Sequence, residues 1–570
     1  MRFTKLLWVA LLSLTIDTTI AAQPGLARSA KDSLLAMKSV YESTYAPTDW
    51  KAKTFGWSLN KEFEAAISKI DSKGANLTKS DVVSITNDFI YSMKDYHVSI
   101  SYYSTEIATL PFNVRRADGK YFIVFIDKSK LGDVIFPFNV GDELVSFDHM
   151  PTELAVSMVK STYIENVIET DQALAELFLT RRRASRGMKV PSGPVWVSVK
   201  RKGSDKIETR QLIWEYTPEK ISPFRNNFLA NITAGSINDS DAKTDSLNRF
   251  INRQMSFDTN GLSDDKSLNP FTMGTKKSFL PSLGKKLWQT ADSALFDAYL
   301  YKNESGKLIG VVRIPTYSVQ NANDSLKEFS EIISHFEAVA DGLVIDQLNN
   351  PGGSVFYLYT LASMLSDKPL KTPQHHMSVT PMDVADALSV LNQLSTVKDD
   401  ESAKKTLGET LWGYPVSYQL VEFFRSYADF TIAEWNAGKT FTSPYWIAGV
   451  DAINPAKQTF TKPILVLVNE LDFSGGDFFP TILQDNNRAK IMGTRTAGAG
   501  GYVVNFSLPN LVGIEGFRVT QSLAKRVSDN PIENLGVTPD VPYTLSAEDF
   551  QSGFEPYKKA IQQTINALVD

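Results

Sequence analysis

The chain has 570 residues, of which 43% are hydrophobic and 22% charged, with a net charge of −5. This is ordinary globular composition spread over several domains, and it implies no polyanionic partner, so no nucleic acid. Cysteine is absent, which removes a disulfide framework, thiolate metal sites and a cysteine nucleophile.

At the start, Arg2 and Lys5 precede an apolar run, Leu6–Leu14, and Ala21 and Ala22 precede Gln23. The run is too short to cross a bilayer and reads as a signal peptide over residues 1–22. No later stretch is long and apolar enough to span a membrane. The expectation is an exported chain, periplasmic or secreted.

Residues 23–107 read as an N-terminal helical region. Ser29–Tyr45 and Leu59–Ile70 carry apolar residues at helical spacing, and Lys79–Tyr91 leads into an alternating strand, His97–Tyr102. Residues 108–216 turn to strands: Tyr121–Ile126, a turn and strand over Val140–Phe147, and Val195–Val199, with a helical stretch after the second. The basic run Arg181–Arg183 with Arg186 reads as a solvated helix end.

Residues 217–300 read as a flexible insertion or linker. Asn238–Pro270 is rich in Asp, Ser, Asn and Lys and poor in large apolar residues, and its exposed backbone is a candidate for processing. Residues 301–570 alternate strands and helices. A mostly helical insertion at about 372–460 carries Trp412, Trp435 and Trp446, which read as core packing or as a groove wall. The predicted fold class is α/β (α+β multidomain): a helical N-terminus, a strand-rich middle domain and a C-terminal sheet-and-helix core.

Two units of that core have the same form, an apolar strand, a Gly-rich turn and a helix. In the first, Gly342–Ile345 leads into DQLNNPGG, with Gly352 and Gly353, and then the apolar run Val355–Leu365. In the second, Ile464–Val468 leads through Asn469 to Ser474, Gly475, Gly476 and Asp477, and then to Phe478–Leu483. A serine at a strand-to-helix turn exposes its hydroxyl, and the first N–H groups of the helix point at whatever that hydroxyl attacks. Gly475 is thus a candidate oxyanion donor, with Gly352 or Gly353 as the second. Read alone, Ser474 is as well explained as a helix cap, and Asp477 as a first-turn acid favoured by the helix dipole.

Taken together, DGLVIDQLNNPGG, VLVNELDFSGGDFFPTILQDNNRAKIMGTRTAGAGG and the closing GVTPDVP resemble the C-terminal processing (tail-specific) serine peptidase family. GDELVSFDHMP, Gly141–Pro151, resembles a turn of the PDZ domains this family often carries, so residues 108–216 are expected to be PDZ-like. A Gly-Leu-Gly-Phe carboxylate-binding loop is not evident. The commoner branch pairs its serine with a lysine in the Gly-rich turn, and here that position is Ala499. Alanine takes no proton. The tricorn-like branch uses Ser-His-Glu instead. One of its members places the histidine after Asp-Tyr and the glutamate before Asn-Leu/Ile-Gly-Val. DYHVSI and IENLGV fit, so the resemblance implies Ser474, His97 and Glu533 as the catalytic set, with Asp477 in support.

That set suits the chemistry. A serine hydroxyl needs a neighbouring base, histidine titrates in the useful range, and a carboxylate stabilises the imidazolium. The other histidines, His149, His335, His375 and His376, sit in contexts without such a motif, and Asp529 and Asp540 are rival carboxylates. The expected activity is a secreted serine endopeptidase acting on polypeptides without cofactor or metal, made as a zymogen; a homodimer is left open. A catalytically inactive polypeptide- or ligand-binding scaffold on the same fold is the alternative.

Overall fold

The computed structural model describes residues 25–161, 166–220, 247, 249–250, 254–256 and 269–570. The expected signal peptide and most of the polar insertion around 238–270 lie outside the described residues.

A seven-stranded sheet organises the C-terminal core. Its spatial order is Lys286–Gln289, Ala298–Lys302, Leu308–Arg313, Gly342–Asp346, Ile464–Val468, Lys490–Gly493 and Val541–Pro542. The first two pairings are antiparallel and the rest parallel. The central strands read as unbroken apolar runs because both faces are covered. Leu343, Ile345, Val466 and Val468 pack with Phe478, Ile482 and Leu358 on one side. Val344, Leu465 and Leu467 pack on the other with Ile561 and Ile565 of the final helix, Glu555–Val569. Both Gly-rich turns leave the carboxyl ends of adjacent parallel strands, where open α/β sheets bind ligands.

A second, five-stranded sheet lies across those ends, in the order Ser99–Tyr102, Ile514–Thr520, Val503–Phe506, Gln254–Ser256 and Gly352–Ser354. It joins the N-terminal region to the first Gly turn. Four helices, Leu26–Thr44, Thr48–Phe55, Leu59–Lys73 and Lys79–Tyr91, form that region. Tyr41 meets Phe89 edge-on and Phe517 of the sheet at 5.8 Å. Thr78 and Asp81 form a capping box at the fourth helix, which fixes where the chain turns toward His97.

The middle domain is a sheet of Phe112–Ala117, Lys120–Ile126, Glu143–Phe147, Pro194–Lys200 and Ile207–Ile213, covered by helices Thr152–Lys160 and Ile168–Leu179. Its apolar core is continuous with Leu471, Phe473, Ala497 and Ala499 of the peptidase turns. The helical insertion holds Pro381–Leu394, Asp400–Leu407 and Tyr418–Asn436.

Two expectations are corrected. Arg181–Arg183 is no helix end but a short strand paired with Ile107–Thr109. The segment 217–300 is not linker throughout, since Lys286–Gln289 and Ala298–Lys302 are the antiparallel margin of the main sheet. Lys286–Gln289 is mostly exposed, so its composition mimics a polar connection, whereas Ala298–Tyr301 is buried beside it.

Candidate active site

Ser474 ends the loop after Ile464–Val468 and opens helix Gly475–Asp485. Its backbone stands at φ 60°, ψ −110°, a conformation that costs a non-glycine residue energy and persists only where neighbours impose it. The constraint is visible. Ser474 N donates to Asp477 Oδ2 at 2.6 Å, while Asp477 N and Phe478 N each donate to Ser474 O at 2.8 Å. The sharp elbow turns the hydroxyl away from its own helix. There it meets His97, with Nε2 and Ser474 Oγ 2.7 Å apart and both residues buried.

The two Gly turns touch. A Cβ on Gly475 would stand 2.9 Å from the Tyr317 ring and 3.0 Å from Gly352 Cα, so only glycine allows the approach. As the first helical residue, Gly475 has an N–H with no acceptor inside its helix. Gly352 is different. Its N–H donates to Asn350 Oδ1 at 2.8 Å, while Gly353 pairs with Met255 in the second sheet, so of the two glycines expected in this turn Gly353 is the one whose N–H a displaced Gln254–Ser256 would leave for an oxyanion.

Asp477 does more than favour a helix dipole. Oδ1 accepts from Thr496 Oγ1 at 2.5 Å and Gly498 N at 2.8 Å, and Oδ2 accepts from Ala499 N at 3.0 Å as well as from Ser474 N. One carboxylate thus ties the elbow to the turn that bears Ala499. Burial pushes its pKa up to about 7, against the pull of these donors. Asp472 ties the elbow to the other turn, accepting from Asn350 N at 2.8 Å and Asn469 N at 2.9 Å.

His97 sits two residues before the strand Ser99–Tyr102 and is fixed through its main chain, which donates to Asp95 Oδ1 at 2.8 Å. Asp95 also accepts from Thr520 Oγ1 and Tyr45 OH. Burial lowers the His97 pKa to about 4; Asp95 pulls it back up, and Arg518 and Lys51 pull it down. The imidazole is therefore neutral and able to take a proton at neutral pH.

Glu533 lies in the same buried cluster but does not accept the Nδ1 proton. Its Oε1 receives Lys51 Nζ and its Oε2 receives Gly500 N at 3.0 Å, while His97 Nδ1 has no hydrogen-bond partner among the described residues. Burial and the neighbouring Asp95 push the Glu533 pKa up, and the Lys51 ammonium on the carboxylate pulls it down. The rival carboxylates are elsewhere: Asp529 is exposed and paired with Lys525, and Asp540 caps a strand end by accepting from Ile491 N at 2.9 Å. His335 packs against Trp288 with the rings tilted, and His375 and His376 lie in the strand Gln374–Met377.

Sequence reasoning missed Lys51, Asp95 and Asp472. Asp472 left a signal, an acid between Leu471 and Phe473 in a turn otherwise heading inward. Lys51 left none, because it meets its partner across 482 residues.

A serine on a strained elbow, facing a neutral imidazole where two Gly-rich turns converge, defines the class: a serine peptidase on an α/β sheet. Residues 308–543 match Peptidase family S41 and residues 106–221 match a PDZ domain. An uncharacterized protein of Chlamydia muridarum is 34% identical over 605 aligned residues, covering 100% of this chain and 98% of its own. A Chlamydia trachomatis protein is 33% identical, covering 99% and 97%. The structure of mature CPAF complexed with lactacystin superposes with a TM-score of 0.81 at 32% identity, covering 95% of this chain and 99% of that one. The chain belongs to peptidase family S41, and the mixed α/β architecture with a helical N-terminus and a PDZ domain is that of its CPAF-like members.

Proposed function

We propose that the chain is an exported serine endopeptidase that cuts polypeptides with Ser474 as nucleophile, His97 as base and Glu533 as the third member. The observation that carries the reading is the 2.7 Å contact between His97 Nε2 and Ser474 Oγ. Ser474 Oγ attacks the peptide carbonyl as its proton passes to Nε2. The N–H groups of Gly475 and Gly353 receive the oxyanion. The imidazolium then protonates the leaving amine, and a water repeats the sequence on the acyl-enzyme. Glu533 acts here as a buried charge that favours the imidazolium, rather than as a direct acceptor from Nδ1. The apolar leader of residues 1–22 supports export.

The intact chain is read as a zymogen. Gln254–Ser256 runs antiparallel to Gly352–Ser354 and also pairs at Val503, so it fills the edge between two strands of the second sheet. An extended substrate would add to such an edge in the same way. The Met255 carbonyl oxygen lies 2.3 Å from the point where a Cβ on Gly352 would stand, and that point is 2.6 Å from Gly475 N. The segment therefore sits on the oxyanion side of Ser474. With Ser474 and His97 already in contact, the reading places the block at this segment rather than at a displaced pair.

Purified chain is followed by mass spectrometry and by peptide-library hydrolysis, beside its Ser474→Ala form. Activity should rise as fragments from the 238–270 region appear, and lactacystin, held in the CPAF complex, should block it. A fully active uncut chain would overturn the zymogen reading, and equal hydrolysis by the Ser474→Ala form would overturn the peptidase assignment.

A further inference from the structure

Lys51 is a fully buried lysine on the helix Thr48–Phe55. An ammonium group removed from water is tolerated only when paired and fully hydrogen-bonded. Nζ has three acceptors, which its three protons can satisfy: the Glu533 carboxylate, Asn534 Oδ1 at 2.7 Å and the Lys94 carbonyl oxygen at 2.7 Å. Lys94 stands three residues before His97, and Asn534 follows Glu533.

A second side chain reinforces the junction. Asn534 Nδ2 donates to the same Lys94 carbonyl at 2.8 Å, and Trp50 Nε1 donates to Asn534 Oδ1 at 2.9 Å. Lys94 and Asn534 both have left-handed backbones, φ 49° and 64°. The two turns are thus joined by Lys51 and, alongside it, by the direct Asn534–Lys94 hydrogen bond. Among the described residues its hydrogen-bond acceptors are these three, and the Phe55 ring lies 5.8 Å from Nζ.

We propose that Lys51 is a positioning residue of the peptidase site, locking the His97 segment to the Glu533 turn and fixing where the carboxylate stands beside the imidazole. The inference rests on the assignment of His97 and Glu533 made above. The groups around the pair are few. Glu533 faces Lys51, Asp95, Tyr45 and the Gly500 N–H, and His97 faces Ser474, Asp95, Arg518 and Lys51. Lys51 and Arg518 together offset Asp95 and Glu533, and removing Lys51 leaves the imidazole facing one net negative charge, which favours its protonated form.

The test is a mutant cycle on the matured enzyme, with kcat and KM measured across pH for Lys51→Met, Glu533→Gln and the double variant. Lys51→Met should lower kcat by roughly 10²-fold, the order expected when a catalytic group is displaced by about 1 Å. KM should change little, and the acid limb of kcat/KM should move to higher pH. Added to Glu533→Gln, Lys51→Met should cost less than about threefold more, because the group it positions is already lost. Equal losses in both backgrounds, or an unmoved acid limb, would reduce Lys51 to a stabilising residue and overturn the proposal. Should Lys51→Met not fold, Lys51→Gln keeps a donor for the Lys94 carbonyl and carries the same cycle; failure of both to fold would also count against it, since positioning predicts a folded, slow enzyme. The two readings separate cleanly. A harmless Glu533→Gln sinks the third-member assignment, whereas a damaging Glu533→Gln with a harmless Lys51→Met sinks only this inference.

Discussion

Asp477→Asn keeps the outline of a side chain that holds the nucleophile's elbow. In the native site each carboxylate oxygen accepts two donors: Thr496 Oγ1 and Gly498 N on Oδ1, Ser474 N and Ala499 N on Oδ2. Whichever way an amide is placed, two of the four donors then face an NH₂ group. A hydrogen bond to a charged acceptor contributes about 1.5–3 kcal/mol, so the gross loss is about 3–6 kcal/mol. Removing the charge also removes the burial cost that pushes this carboxyl up to about 7, and the net destabilisation should be about 2–4 kcal/mol. At about 2 °C per kcal/mol for a cooperative unit the size of the C-terminal core, the melting temperature should fall by roughly 4–8 °C. Turnover should fall at least about 10²-fold, because Ser474 loses the contact that maintains its strained backbone. The assay is differential scanning calorimetry beside kcat on matured protein. A melting temperature within about 2 °C of the parent, with turnover within about twofold, would refute the claim that this carboxylate maintains the elbow.

Other outcomes follow from the same geometry. Because burial lowers the His97 pKa to about 4, its acidic limb should lie well below the 6 to 7 of a solvated imidazole, with activity lost as pH falls and Nε2 becomes protonated; a limb confined to pH 6–7 would mean the working site is hydrated. Between about pH 4 and 6.5 the unfolded chain binds the His97 proton and the folded chain does not, so this group's contribution to stability falls as pH drops through that window, measurable by thermal melts. Glu533→Gln should lower turnover by roughly 10²- to 10³-fold, short of the 10⁴ seen where a carboxylate accepts the Nδ1 proton; Asp529→Asn and Asp540→Asn should stay within about tenfold. Gly475→Ala places a Cβ 2.9 Å from Tyr317 and 3.0 Å from Gly352, so it should abolish turnover by pushing the two turns apart; near-parental turnover would show that they do not form the oxyanion site together.

The proposed nucleophile stood out because its signals are local. Ile464–Val468 is apolar on both faces, the glycines after Ser474 leave room for a second turn, and the Gly352–Gly353 turn repeats the pattern one strand away. The proposed base, His97, stood out through its Asp95-Tyr96-His97 motif, and the structure brings it to Ser474. What stayed hidden depends on contacts between distant segments. Gly352 looked as able as Gly353 to bind an oxyanion until Asn350 was seen to take its N–H. The Glu533 motif predicted a partner for His97 Nδ1, but a lysine on a short N-terminal helix takes the carboxylate instead. Gln254–Ser256 could not be found in a polar stretch, because strand addition is carried by main-chain hydrogen bonds and leaves little mark on composition. Lys286–Gln289 was missed for a related reason, being an edge strand that needs apolar residues on one face only.

The central claim is that Ser474, activated by His97, is the nucleophile of a peptidase. Its most direct test is reaction of matured protein with a fluorophosphonate, followed by peptide mapping and a residual peptidase assay. The account predicts one adduct, on Ser474, formed in step with loss of hydrolysis and absent from the His97→Ala variant. An adduct elsewhere, or hydrolysis that survives full modification of Ser474, would contradict it.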